Sequence, residues 1–151
     1  QAGIAGLLHD IGKSRVPPDV LNKPGPLDAE EWVIMKSHPR WGYEILLPQG
    51  LDDAVTDACL HHHEKVDGTG YPDGLKQDDI SLMARMTAVC DVYDAITSNR
   101  PYKDAFSHEQ ACRVILSESG RLFDPVVVAA FLRREQEFDL ARLQAPPLSL
   151  P

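Results

Sequence analysis

The run His61-His62-His63-Glu64-Lys65-Val66-Asp67-Gly68-Thr69-Gly70-Tyr71-Pro72-Asp73-Gly74 constrains this chain more than any other stretch. Three adjacent imidazoles are costly to bury unless something cationic holds them neutral, and neutral imidazole is the commonest protein metal ligand. Gly68, Gly70 and Gly74 permit backbone angles and close approaches that a Cβ resists, so the loop can fold tightly beside whatever the histidines bind. The competing reading is a solvated loop after a histidine-rich helix end.

Upstream of that run, Leu51, Val55, Ala58, Cys59 and His62 recur at helical spacing, which buries one face and carries it into the histidines. Neighbouring histidines in a regular helix point about 100° apart, so both can reach one ion only where the helix unwinds. Gln1 to Asp10 predicts a buried helix ending at His9-Asp10-Ile11-Gly12-Lys13, with Gly12 as its break. An imidazole beside a carboxylate can turn toward one cation, and a carboxylate has two oxygens with which to bridge a pair. Lys13 places an ammonium near bound phosphate or serves as a helix-terminal cation.

Pro17, Pro18, Pro24, Gly25 and Pro26 predict a loop without regular structure. Asp28 with Glu31 makes a capping box for a helix whose inward stripe is Trp32, Ile34 and Met35. His38-Pro39 marks a helix junction, from which His38 can be aimed across a cavity. Ser81 caps a helix from Leu82 to about Thr97, with Met86, Val89, Cys90, Tyr93 and Ile96 apolar and Asp91 and Asp94 sharing a face. A carboxylate in so apolar a helix is expensive unless paired or metal-bound, which singles out Asp91. The cationic segment with Arg100 and Lys103 follows directly. Ser107 with Gln110 opens a helix ending at Gly120, Asp124-Pro125 opens another through about Phe138, and His108 reads as a surface residue.

No strand-like alternation is long enough to build a sheet, so the expected fold is all-α, one helical bundle over residues 1–140 with a proline-rich tail over 141–151. A net charge of -8 excludes sustained binding to a DNA or RNA polymer, while leaving room for a small anionic ligand. Three widely spaced cysteines point to a reduced cytosolic compartment. No apolar run reaches membrane-spanning length, and no signal peptide is visible.

Taken together, His9-Asp10, His38, His62-His63-Glu64 and Asp91 form a set that resembles the HD superfamily of metal-dependent phosphohydrolases, an all-α helical fold. More narrowly, His62-His63-Glu64-x-x-Asp67-Gly68-x-Gly70-Tyr71-Pro72 is similar to the signature of the HD-GYP subfamily, cyclic di-GMP phosphodiesterases of bacterial signalling. The likeness extends from about Leu7 to Phe131 and takes in Lys23-Pro24-Gly25-Pro26-Leu27 and Asp91 through Tyr102.

The resemblance implies two or three divalent transition-metal ions, Fe or Mn first and Zn or Ni as alternatives. His9, Asp10 and Asp91 would hold one, while a bridging Asp10 with His38, His62 and His63 would hold the other. Lys13 would orient water or phosphate. Gly70 and Tyr71 would pack against the ligand, with Tyr71-Pro72 open to a purely loop-shaping role, and Asp94, Arg100 and Lys103 would contact phosphates and guanine edges. Water activated between two ions would then attack phosphorus, and no nucleophilic side chain is needed.

The same resemblance implies cyclic di-GMP as the partner, a bacterial cytoplasmic location, an upstream sensory or receiver domain and a protein signalling partner. It also implies a further histidine ligand upstream of Gln1, and hence some exposed apolar surface on the helices starting at Gln1 and Leu82. Rival readings are a hydrolase of another nucleotide and a nucleotide- or partner-binding module with weakened or no catalysis.

Overall fold

The structure, a computed structural model, describes residues 1–98 and 105–144; Arg100, Lys103 and the tail from residue 145 lie outside them. The described residues form α1 (Ala2–Leu8), a 3-10 turn (Ile11–Arg15), α2 (Pro18–Leu21), α3 (Ala29–Met35), α4 (His38–Leu46), α5 (Asp53–His61), α6 (Leu82–Thr97), α7 (His108–Ser117), α8 (Pro125–Arg133) and α9 (Glu135–Gln144). Among these residues there is no strand, only an isolated bridge between Ser119 and Phe123, and no helix is long and apolar enough to cross a membrane. The all-α expectation holds.

Local chemistry sets several helix starts. Asp28 and Ser107 each make a complete capping box, with Glu31 and Gln110 returning to the cap backbone. Ser81 accepts from Ala84 N, and Asp124 accepts from Val126 N and Val127 N while Arg85 Nη1 pairs with its other oxygen at 2.5 Å. The longest helix, α6, packs on α1, α5, α7 and α8. On one side it joins Ala5, Val55 and Ala58 through Met83; on the other, Val89 and Tyr93 enter a cluster with Ile115, Phe123, Val128 and Phe131.

Two glycines decide how the site-bearing elements meet. A Cβ on Gly12 would stand 1.9 Å from the His38 carbonyl oxygen and 2.5 Å from Gly42 N, and one on Gly42 would stand 2.5 Å from Cys59 Sγ. The 3-10 turn, α4 and α5 therefore cross at near-contact distance, which draws His9 and Asp10 against His38 and His62. Gly12 was expected to break the first helix; it is buried inside the 3-10 turn, and its role is this close approach.

Other expectations need correction. Only Ala5 of α1 is buried, because its neighbours α5 and α6 cover one face. Ile4, Leu7, Leu82 and Met86 are exposed, in line with the apolar surface expected on the first helix and on α6. The proline stretch holds the short helix α2, since Pro18 at its first position needs no backbone N–H. Trp32 is 47% exposed because α3 packs chiefly on α2 and buries no residue fully. The last helix is broken at Arg134, whose φ of -121° leaves the helical range. That break turns Phe138 back onto Phe131 and Tyr93, with ring centroids 4.8 and 5.7 Å away, and α9 continues past residue 140 to Gln144.

Candidate metal centre

Five elements deliver the histidines and carboxylates. His9 caps the C-terminus of α1, Asp10 precedes the 3-10 turn, His38 opens α4, His62 and His63 follow α5 as it unwinds, and Asp91 lies midway along α6. Their donor atoms fall into two groups, each with all members within 4.8 Å of one another: Asp10 with His38, His62 and His63, and Asp10 with His9 and Asp91. Asp10 belongs to both.

The backbone sets the tautomers. His9 Nδ1 lies 2.7 Å from Gly6 O, His38 Nδ1 2.7 Å from Met35 O, and His62 Nδ1 2.9 Å from Cys59 O. Each imidazole thus spends its Nδ1–H on the carbonyl three residues back and turns Nε2 inward, the nitrogen left for a metal. Inside, His38 Nε2 stands 3.1 Å from Asp10 Oδ1 and 3.4 Å from His62 Nε2. These are acceptor-to-acceptor contacts, and His9 Nε2 and Asp10 Oδ1 are buried without a hydrogen bond. Ligands of one ion with bonds of about 2.0–2.2 Å stand roughly 3.0–3.5 Å apart, so the residues fit a bound cation.

The electrostatics point the same way. Burial opposes the charge on His9, yet Asp10 and Asp91, whose oxygens lie 3.4 and 3.6 Å from its Nε2, outweigh burial and hold its pKa up to about 10. Burial, reinforced by the neighbouring His62 and His38, pushes His63 down to about 2. Burial also pushes His62 down against the pull of Asp10. Burial works against ionisation of Asp10, but His38, His62, His9 and Lys13 prevail and hold its carboxyl far below the usual range. One side of the centre attracts positive charge while the other presents neutral imidazoles.

Lys13 Nζ lies 2.5 Å from Asp10 Oδ2. Beside them opens a cavity of about 360 Å³ lined by His9, Asp10, Lys13, Asp91 and the exposed Asp94. Tyr71 stacks on His63 with centroids 4.8 Å apart. Gly70 is pinned by its surroundings: a Cβ there would stand 2.4 Å from both Glu64 Cα and Lys65 N. Arg100 and Lys103 lie outside the described residues.

Sequence reasoning assigned no role to Glu64, which is 2% exposed and accepts from the backbone N–H groups of Asp73, Gly74 and Leu75 at 2.7, 3.0 and 3.1 Å. It ties the loop beyond Tyr71 back to the histidines. Its signal was its place between three histidines and a glycine-rich turn. Likewise, Asp57 and Asp73 clamp His61 from either side at 2.7 and 3.1 Å, holding it in a neighbouring network.

An all-α bundle with an Asp shared between two histidine-containing groups defines the class, and the comparison with known families agrees: the HD domain model matches residues 1–127, and this chain belongs to the HD-domain family. It is 54% identical over 134 residues to the cyclic di-GMP phosphodiesterase PA4108 of Pseudomonas aeruginosa, covering 88% of this chain and 32% of that protein. It is 45% identical over 140 residues to the cyclic di-GMP phosphodiesterase response regulator RpfG of Xanthomonas campestris, covering 90% and 36%. The 3'3'-cGAMP-specific phosphodiesterase 2 of Vibrio cholerae is 42% identical over 144 residues, covering 94% and 28%. The chain therefore spans about a third of the length of these relatives. A crystal structure of a Vibrio cholerae cyclic GMP-AMP-specific phosphodiesterase shares the fold, with a TM-score of 0.67 at 20% identity over 95% of this chain and 40% of its own.

Proposed function

We propose that this chain is the catalytic domain of a metal-dependent phosphodiesterase that hydrolyses cyclic di-GMP. One observation carries the reading: Asp10 stands in both ligand groups, the arrangement needed to hold two cations side by side. His9, Asp10 and Asp91 would hold one ion, and Asp10, His38, His62 and His63 the other. The mixed imidazole and carboxylate donors suit Fe or Mn, with Zn or Ni as alternatives. When bound, such a pair supplies Lewis acidity that activates water toward phosphorus and stabilises the leaving oxygen.

The chain's own residues do the remaining work. The Gly6, Met35 and Cys59 carbonyls hold three imidazoles oriented with Nε2 inward. Lys13 offers N–H donors at the cavity wall to a non-bridging phosphate oxygen. Asp94 accepts a hydrogen bond at the far end of that wall, and Arg100 and Lys103 supply further cations to the phosphates. Tyr71, stacked on His63 and anchored through Glu64, closes the other flank and excludes water. No side chain is the nucleophile, so water adds to phosphorus as one ester bond breaks and the departing oxygen takes up a proton.

The substrate rests on the relatives named cyclic di-GMP phosphodiesterases; those named cGAMP-specific make 3'3'-cGAMP the second reading. An upstream sensory or receiver domain, a signalling partner and a reduced bacterial cytoplasm complete the proposal. Rates on cyclic di-GMP, 3'3'-cGAMP and a simple phosphodiester test it. Preference for cyclic di-GMP is expected; binding of either dinucleotide without turnover by metal-loaded, folded protein overturns it.

A further inference from the structure

A second convergence of ligating side chains lies away from this centre, where α7 and the start of α9 meet α6. His108 and Cys112 stand four residues apart on one face of α7, and Glu135 opens α9 opposite them. A ring nitrogen of His108, Cys112 Sγ and a Glu135 carboxylate oxygen all lie within 4.8 Å of one another. Cys112 Sγ is 3.7 Å from His108 Nε2 and 3.8 Å from Nδ1, so the sulfur lies beside the ring and ligation through Nε2 requires the imidazole to turn about its Cβ–Cγ bond. Two ligands of a tetrahedral zinc ion, with Zn–N of about 2.0–2.1 Å and Zn–S of about 2.3 Å, stand roughly 3.5–3.6 Å apart.

The imidazole is oriented from behind, because the Tyr93 hydroxyl lies 3.0 Å from His108 Nδ1. With Nδ1–H donated to that phenol, the Nε2 lone pair is free to ligate. Asp139, one turn beyond Glu135, is committed to Arg142 at 2.6 Å. The set is therefore three donors, one each of nitrogen, sulfur and oxygen, a combination suited to zinc and its borderline-soft relatives.

We propose that His108, Cys112 and Glu135 form a second transition-metal site of the zinc class, separate from the centre built on Asp10. Binding replaces the thiol proton, which is released to solvent, and leaves a fourth position for water. Because α9 buries no residue fully, a metal joining Glu135 to α7 would clamp it.

Cobalt(II) is the probe, since a thiolate ligand gives a near-ultraviolet charge-transfer band and neither ligand group around Asp10 contains a cysteine. With the two positions around Asp10 filled, a further equivalent of Co²⁺ should produce the band, and Zn²⁺ should abolish it while slowing hydrogen exchange of the α9 amides. Cys112→Ser should remove the band. His108→Gln and Glu135→Gln, at partly exposed positions that need not disturb folding, should weaken Co²⁺ binding by on the order of tenfold or more. Asp10→Asn should leave it intact. Absence of the band overturns the site, as does a band that depends on Cys59, on the exposed Cys90 or on Asp10, or one indifferent to His108→Gln and Glu135→Gln.

Discussion

His38 Nε2 faces Asp10 Oδ1 across 3.1 Å while its Nδ1 lies 2.7 Å from Met35 O, so a neutral ring that donates Nδ1–H to that carbonyl turns a lone pair toward the carboxylate. Two acceptors this close, one of them on a side chain 1% exposed, repel unless a cation lies between them. A cation held between them would turn that repulsion into two ligand bonds.

Metal should therefore stabilise the native state. At about one hundred times its dissociation constant, a ligand that binds only folded protein contributes about 2.7 kcal/mol, which at this chain length is roughly 5–10 °C in Tm. Chelation should lower the melting temperature by that order. In Asp10→Asn, which weakens both ligand groups around that residue, chelator should lower it by clearly less, and calorimetry of both proteins with and without chelator makes the comparison.

Gly12→Ala forces a methyl group into backbone only 1.9 Å away, whereas an alanine at Gly3 meets nothing within 4 Å. The first substitution should cost about 1–3 kcal/mol or more, and should also displace His38 and lower metal content. Gly3→Ala lies within α1 and should be neutral or stabilising by up to about 1 kcal/mol. Denaturant unfolding with metal analysis separates the pair.

Glu64→Gln keeps the shape of the side chain but removes the charge that three backbone N–H groups share. A loss of about 1–3 kcal/mol follows from replacing a charged acceptor by a neutral one in three partly buried hydrogen bonds. Faster hydrogen exchange at Asp73, Gly74 and Leu75 should accompany it, with a fall in turnover as Tyr71 loses its anchor.

Burial works against ionisation of Asp124, but the Val126 and Val127 amides and Arg85 outweigh it and hold its carboxyl below the usual carboxylate range. Stability from such a group is complete above the unfolded pKa of about 3.9 and is lost as pH falls through the folded value. Asp124→Ala should cost about 1–2 kcal/mol at pH 7 through the lost cap. That gap should persist down to about pH 4 and narrow below it, as measured by urea unfolding across the range.

Much of the centre was legible because metal chemistry restricts residue type: His9, Asp10, His38, His62, His63 and Asp91 carry the needed donors on segments that could meet. Capping at Asp28, Ser81 and Ser107 was legible because those signals act within three residues. Gly12 was misread because its demand comes from the His38 carbonyl and Gly42 on another helix, which no local pattern reports. The break at Arg134 has no Gly or Pro to announce it and depends on Phe138 reaching Tyr93. The sequence puts Trp32 on an inward stripe and predicts a buried helix from Gln1, yet whether an apolar stripe is covered depends on which helices pack against it.

The most direct measurement is the magnetic state of the Mn²⁺-loaded protein by electron paramagnetic resonance together with metal counting. If Asp10 is shared, at least two ions per chain should give an exchange-coupled spectrum, and Asp10→Ala should abolish both the coupling and the hydrolysis of cyclic di-GMP. Uncoupled Mn²⁺ in the active native protein, or an Asp10→Ala variant with near-normal metal content and rate, would contradict it.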